Sequence, residues 1–232
     1  MTATVVLVHG AWHGAWSWQP VTRRLRSKRI DVRPLDLPGH GDSPDALGDL
    51  DADAAAITAV LDDVDGPVVL VGHSLGGAAI TAAGRHDAVI ELAYVAAFAP
   101  DQDESVGDLA AKYPIEYVEP PFTGGDDGTA TLTAYGLDHV LYHDASTAVD
   151  TAARLVVPEN PAKFAAPGGL PAWRFCPSTY VRCTDDRIVH RDLQTFMAER
   201  AGARIFDLEC GHMPMFASPD ELTTIITALA RG

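Results

Sequence analysis

The sequence predicts an α/β fold, a six-stranded, mainly parallel sheet with helices on both faces. Short apolar runs alternate with stretches of helical period along most of the 232 residues. Glycine- and proline-bearing loops such as LPGHG and VGHSLGG separate them. Apolar residues make up 47% of the chain and charged residues 21%, which excludes a disordered or collagen-like chain. A chain of this length is expected to form one domain over residues 1–232, with a core that needs no disulfide or metal staple.

Residues 5–8 form an apolar run ending at His9-Gly10, and Trp18, Val21 and Leu25 follow at helical spacing, so a strand, a loop and an amphipathic helix come in order. The pattern repeats with a strand over 30–36, a Pro/Gly loop, and an Ala-rich helix over 51–64 whose Asp51 and Asp53 suit a helix N-terminus. A third strand over 67–71 runs into GHSLGG and another Ala-rich helix, and a fourth covers 91–98. From residue 100 to about 172 the rhythm breaks into Pro, Gly, aromatic residues and short helical patches such as 147–156, which reads as an inserted cap. Strands over 178–183 and 203–208 and helices over 192–201 and 219–230 complete the alternation.

Charge narrows the partners. With 17 Lys plus Arg against 32 Asp plus Glu, the net charge is −15, and no dense basic run could neutralise phosphates, so nucleic acid is excluded. Cys176, Cys183 and Cys210 are an odd count without C-x-x-C spacing, which disfavours a disulfide framework or a structural zinc site. The opening MTATVVLVHGAW lacks a basic leader and no stretch reaches a membrane span, so a soluble cytoplasmic protein is expected.

The chemistry sits in loops after strands. Gly72-His73-Ser74-Leu75-Gly76 fits G-x-S-x-G, a weak string made specific by the strand before it and the helix after it. Small residues let the chain turn sharply and lift a serine oxygen above a helix N-terminus. Such a serine needs a base, and the base needs an acid to fix its tautomer. Among nine histidines, His212 in Glu209-Cys210-Gly211-His212 lies just beyond the strand over 203–208 and is the best candidate base. The strand over 178–183 ends in Thr184-Asp185-Asp186, two adjacent carboxylates of which only one can face inward. Backbone N–H groups of Leu75 and of Ala11, in the first loop, are the candidate oxyanion donors. Trp12, His73 and Met213 are expected to line the substrate pocket, roofed by some of the aromatic residues Tyr113, Tyr117, Phe122, Tyr135, Tyr142, Phe164 and Trp173. His139 and His143 lack an H-E-x-x-H pattern and read as a surface or packing pair, with no metal site, while the loop over 37–41 reads as a turn without chemistry of its own.

The strings VLVHGAWHGAWSW, LDLPGHGDS, VGHSLGG, YVAAFAPDQDES, YVRCTDDR and GHMPMFASPDEL together resemble the α/β-hydrolase superfamily and, within it, the methylesterase and hydroxynitrile-lyase group. The resemblance implies Ser74 as nucleophile, His212 as base, Asp186 rather than Asp185 as acid, and Ala11 with Leu75 as the oxyanion pair. It also implies a monomer or homodimer with no cofactor. In the part read as a cap, LYHDASTAVDTAARLVVPENP resembles the group, whereas Gly124-Gly125-Asp126-Asp127-Gly128 is a polar loop that the pattern does not place. Lyases of the group carry Thr where this chain has Gly10 and Lys where it has Met213. Methionine cannot stabilise a departing cyanide by charge but suits an ester's hydrocarbon part. The expectation is therefore a serine esterase acting on a small apolar or aromatic ester, such as a methyl ester. The alternatives are a carbon–carbon lyase or hydrolase such as hydroxynitrile lyase, and a non-catalytic protein that binds a small molecule.

Overall fold

The computed structural model describes residues 2–232. Its centre is a sheet of β1 (Thr4–Val8), β2 (Val32–Leu35), β3 (Val68–His73), β4 (Val89–Val95) and, after a long excursion, two later strands. The excursion contains the antiparallel hairpin of β5 (Phe122–Gly124) and β6 (Ala130–Leu132). The later strands are β7 (Ser178–Cys183) and β8 (Arg204–Leu208). Strand order in the large sheet is β2-β1-β3-β4-β7-β8, and every neighbouring pair is parallel.

The central strands read as unbroken apolar runs because both faces are covered. Val5, Leu7, Val69 and Val71 pack on one side with Trp18, Val21 and Leu25. Val6, Val8, Leu70 and Tyr94 pack on the other with Ile57, Leu61 and Ile80. The first layer carries α1 (Gln19–Ser27), and the second carries α2 (Leu50–Asp62) and α3 (Gly76–Ala83). The N-cap of α2 is Asp49, whose side chain accepts from the Ala52 N–H. Asp53, read from sequence as a charge suited to a helix N-terminus, is instead buried.

Within the excursion, α4 (Val106–Lys112) starts at a capping box in which Ser105 and Asp108 exchange hydrogen bonds with each other's backbone. A π-helix (Gly136–Leu141), α5 (Val149–Leu155) and α6 (Ala162–Ala165) follow the hairpin. The polar loop unplaced by sequence is the turn between β5 and β6, where Gly128 has φ 81. After β7 come α7 (Arg191–Arg200), β8, α8 (Pro214–Ala217) and α9 (Pro219–Arg231). No helix among the described residues is long and apolar enough to cross a membrane.

Topology fixes where a site can form. From β1 the chain crosses to β2 on one side, then returns to β3 on the other, so the carboxyl ends of β1 and β3 diverge around a crevice. Val8 at the end of β1 lies opposite Gly72 near the end of β3. The loops that follow, with His9-Gly10-Ala11-Trp12 and Ser74-Leu75, therefore meet there.

Candidate active site

Ser74 sits between β3 and α3 with φ 52, a left-handed conformation that a residue with a Cβ adopts only where its surroundings hold it. The turn has no room for side chains on either flank. A Cβ at Gly72 would lie 2.7 Å from the Gly76 carbonyl oxygen, and one at Gly76 would strike the His9 carbonyl. The Ser74 carbonyl accepts from the N–H groups of Gly77 and Phe98, both at 3.0 Å, which fastens the turn to the chain after β4.

The loop after β7 brings Asp186 to His212, with Asp186 Oδ2 2.8 Å from His212 Nδ1 and both side chains buried. A carboxylate only accepts, so Nδ1 carries the hydrogen and Nε2 keeps its lone pair. The other donors to Asp186 are the N–H groups of Ile188 (2.7 Å) and Val189 (3.0 Å) on Oδ1 and Gln194 Nε2 (3.3 Å) on Oδ2. Asp185 points away, largely exposed, to His143 Nε2 at 3.0 Å. Of the two adjacent carboxylates, the turn aims Asp186 inward to His212 and Asp185 outward to His143.

Ala11 and Leu75 occupy the two turns that face the crevice, and neither N–H donates to a protein acceptor among the described residues. The backbone around Ala11 is held by two buried histidines. His9 donates from Nδ1 to the Gly10 carbonyl at 2.8 Å, because its Nε2 accepts from the Leu37 N–H at 3.1 Å. His13 donates from Nδ1 to the Ala11 carbonyl at 2.7 Å, and its Nε2 accepts from the Tyr142 hydroxyl at 2.8 Å. Burial, with neighbouring histidines, pulls His9 down to about 3; burial pulls His13 down to about 4. Both are neutral at pH 7.

A cavity of about 470 Å³ opens beside Ser74, with Ala11 and Trp12 among its walls. Tyr113, Tyr117, Phe122 and Phe164 line it from the excursion, whereas Tyr135, Tyr142 and Trp173 do not. Trp12 stacks on Phe122 at 5.9 Å, lies 6.0 Å from Phe164, and donates from Nε1 to the Ala130 carbonyl at 2.9 Å. Lining residues that sequence reasoning did not name include Phe98, Val106 and Ile188. Two expected wall residues need correction. His73 and Met213 are buried and lie outside the lining. His73 belongs to inward-facing β3 and donates from Nε2 to the His212 carbonyl at 2.8 Å, with the two rings 4.7 Å apart. Met213 packs into the core layer next to the sheet.

The 37–41 loop, read as a plain turn, contributes to a buried charged cluster. His40 Nε2 lies 3.1 Å from Glu159 Oε2, and Lys163 Nζ bridges Glu159 at 3.1 Å and Asp53 at 2.9 Å, all nearly inaccessible. Sequence alone carries no signal of this, because its members come from three distant segments. Lys163 precedes Phe164, so the cluster anchors one wall of the cavity to α2.

These titrations predict acid lability. His9, His13 and His73 are lowered chiefly by burial, so below pH 6.5 the unfolded chain takes up protons that the folded chain refuses. For His9 and His13 the stabilising contribution is complete above pH 6.5 and is lost as pH falls toward 3 and 4, by about 1.4 kcal/mol per pH unit each, and His73 acts in the same sense. Glu159, held down to about 2 against burial by His40 and Lys163, adds a loss of the same sign below about pH 4.5. Asp53 acts in the opposite sense, since burial lifts it to about 6 against the pull of Lys163. Three histidines outweigh one aspartate, so the thermal unfolding midpoint should fall continuously from pH 7 to pH 4. Calorimetry in that range checks it, and a midpoint that rises on acidification would contradict it.

Known proteins resemble this chain along nearly its whole length. Residues 5–224 match the model of the alpha/beta hydrolase family. Methylesterase 2 of Arabidopsis thaliana is 27% identical over 253 residues, covering 97% of this chain and 95% of its own. A carbendazim hydrolyzing esterase of Nocardioides sp. (strain SG-4G) is 28% identical over 242 residues, covering 98% and 99%. The crystal structure of a pyrethroid hydrolase from Sphingobium faniae JZ-2 has a TM-score of 0.85 at 21% identity, covering 100% of this chain and 98% of its own, a likeness of fold. With the family model matched over nearly its whole length, the chain belongs to the alpha/beta hydrolase family.

Proposed function

We propose that the protein is a serine carboxylic ester hydrolase in which Ser74 is the nucleophile, His212 the base and Asp186 the acid, within a single domain capped by the excursion between β4 and β7. The observation that carries this reading is the buried Asp186–His212 pair at 2.8 Å, on loops that share a sheet edge with a serine held at φ 52 beside an apolar cavity. Esterase relatives along the whole chain support it.

In the acylation half, Ser74 Oγ attacks the ester carbonyl carbon as its proton passes to His212 Nε2. The imidazolium so formed is stabilised by Asp186, and the oxyanion is received by the Ala11 and Leu75 N–H groups. Collapse expels the alcohol, which leaves with the proton from His212. A water then gives its proton to His212 and attacks the acyl carbon, and the acid departs as Ser74 recovers its hydrogen. The chain's own residues and water supply every step.

The cavity selects uncharged substrates. Apart from the Ser74 hydroxyl and the Trp12 indole N–H, which donates to the Ala130 carbonyl, its polar side-chain groups are the Tyr113 and Tyr117 hydroxyls, and no charged side chain among the described residues lines it. A carboxylate placed there would lose its hydration without gaining a cationic partner. The substrate class is therefore a neutral apolar or aromatic ester of modest size, methyl esters included.

The test is a set of initial rates on p-nitrophenyl acetate and butyrate, methyl benzoate, and the carboxylate-bearing monomethyl terephthalate. Hydrolysis of the neutral esters with the charged one at least about ten-fold slower is expected. Cyanide release from a cyanohydrin in place of ester hydrolysis would install the lyase, and saturable binding without turnover would install a binding protein.

Gly10 supplies a further check. A Cβ there would lie 2.7 Å from Ser74 Cβ and 3.0 Å from His73 Nδ1, and Ser74 is already at a strained φ. Gly10→Ala should therefore lower kcat on p-nitrophenyl acetate by about 10- to 100-fold, because displacement by a fraction of an ångström spoils attack geometry. An unchanged kcat would show that the loop yields without disturbing Ser74.

A further inference from the structure

Besides the Ser74 turn after β3, three loops must be in register for the proposed chemistry, those after β1, β7 and β8, and each is touched by one of three consecutive residues at the end of the π-helix. The Tyr142 N–H donates to the Leu137 carbonyl five residues back, and the chain then turns to present Tyr142, His143 and Asp144. The Tyr142 hydroxyl, fully buried, donates to His13 Nε2 at 2.8 Å, and His13 in turn holds the Ala11 carbonyl. His143 Nε2 lies 3.0 Å from Asp185 Oδ2, next to Asp186. Asp144 Oδ2 accepts the Gly211 N–H at 2.6 Å, one residue before His212.

The seats are built for this fit. A Cβ at Gly211 would collide with the His143 ring and lie 2.8 Å from Asp144 Oδ1. On its other side the His212 carbonyl is held by His73 Nε2, so the base is bracketed by one hydrogen bond before it and one at it. The His13 tautomer is set in the same way. With Nδ1–H committed to the Ala11 carbonyl, Nε2 needs a donor, and the Tyr142 hydroxyl is that donor.

Resting on the ester hydrolase reading above, we propose that Tyr142-His143-Asp144 is a positioning clasp that sets the oxyanion, acid and base loops against one another. None of the three residues lines the cavity. The clasp therefore governs the rate of the chemical step and leaves substrate affinity nearly untouched. A role confined to stability would lower the unfolding temperature without changing kcat in the folded protein.

The experiment uses the full chain and the variants Tyr142→Phe, Asp144→Ala and Asp144→Asn, with Ser74→Ala as the control for the underlying reading. Asparagine keeps an oxygen that can accept the Gly211 N–H, and alanine does not. On p-nitrophenyl butyrate at a temperature where circular dichroism shows every variant folded, Asp144→Ala should lose about 10- to 100-fold in kcat with KM within about three-fold of wild type. Asp144→Asn should recover to within about three-fold, and Tyr142→Phe should lose about ten-fold in kcat alone. Wild-type kcat in both Asp144→Ala and Tyr142→Phe would overturn the clasp while leaving the ester reading intact. If the wild type is inert, the ester reading falls, and ¹H–¹⁵N resonances of the His212 ring judge the clasp independently. Resonances displaced in Asp144→Ala and restored in Asp144→Asn support it, and resonances unmoved in both overturn it.

Discussion

Exchanging Ser74 for alanine should lower kcat on a p-nitrophenyl ester by about a million-fold, the loss that follows when a triad nucleophile is removed. The size follows from what disappears. Without the hydroxyl no acyl-enzyme forms, and His212 and Asp186 have no proton to move at the reacting centre. The Ala11 and Leu75 amides and the cavity remain, so KM should change little and a residual rate above that of water alone should survive. The methyl side chain of alanine fits the turn, because only the oxygen is lost and the φ of 52 is set by the flanking glycines and by the hydrogen bonds to the Ser74 carbonyl. Steady-state kinetics on freshly purified protein measure it. A loss below ten-fold would mean that Ser74 is not the nucleophile.

Asp186→Asn should cost about 10⁴-fold in kcat, and the hydrogen bonds around it give the reason. Oδ1 receives two backbone N–H donors, from Ile188 and Val189, so an asparagine must turn its oxygen toward them. Its amide NH₂ then faces His212 Nδ1 and Gln194 Nε2, both of which act as donors in the wild type. His212 can resolve the clash with Asn by moving its hydrogen to Nε2, which removes the lone pair that would take the Ser74 proton. Asp185→Asn, by contrast, changes only the exposed contact with His143 and should cost less than about ten-fold. Measuring kcat for the two variants side by side separates them, and a larger loss in Asp185→Asn would reverse the assignment.

Much of the fold was legible because its signals are local. The run at 68–71 between Pro67 and Gly72 is apolar on both faces, as a central parallel strand must be, and the structure extends that strand to His73. The fourth strand starts at Val89 and ends at Val95, earlier than the apolar run suggested, because Ala96 takes φ 44 and the chain turns toward the Ser74 carbonyl. The candidate nucleophile and base were legible for the same reason, each sitting one loop beyond a readable strand. What stayed hidden depends on contacts between distant segments. Nothing near Met213 or His73 in sequence tells that both are buried away from the cavity, and nothing near Lys163 tells that Asp53 and Glu159 await it. The hairpin at 122–132 escaped notice because both strands are three residues long and have no fully buried face to impose an alternating pattern.

The most direct measurement of the central claim is covalent labelling with a fluorophosphonate, followed by peptide mass spectrometry. Such a reagent transfers its phosphonyl group only to an activated serine, with loss of fluoride, and so reads Ser74, His212 and the oxyanion donors at once. The account predicts one adduct per chain, on the peptide containing Gly72-His73-Ser74-Leu75-Gly76, absent in Ser74→Ala and strongly slowed in His212→Ala. Stoichiometric labelling of a different serine, or ester turnover by a protein that the reagent neither labels nor inhibits, would contradict it.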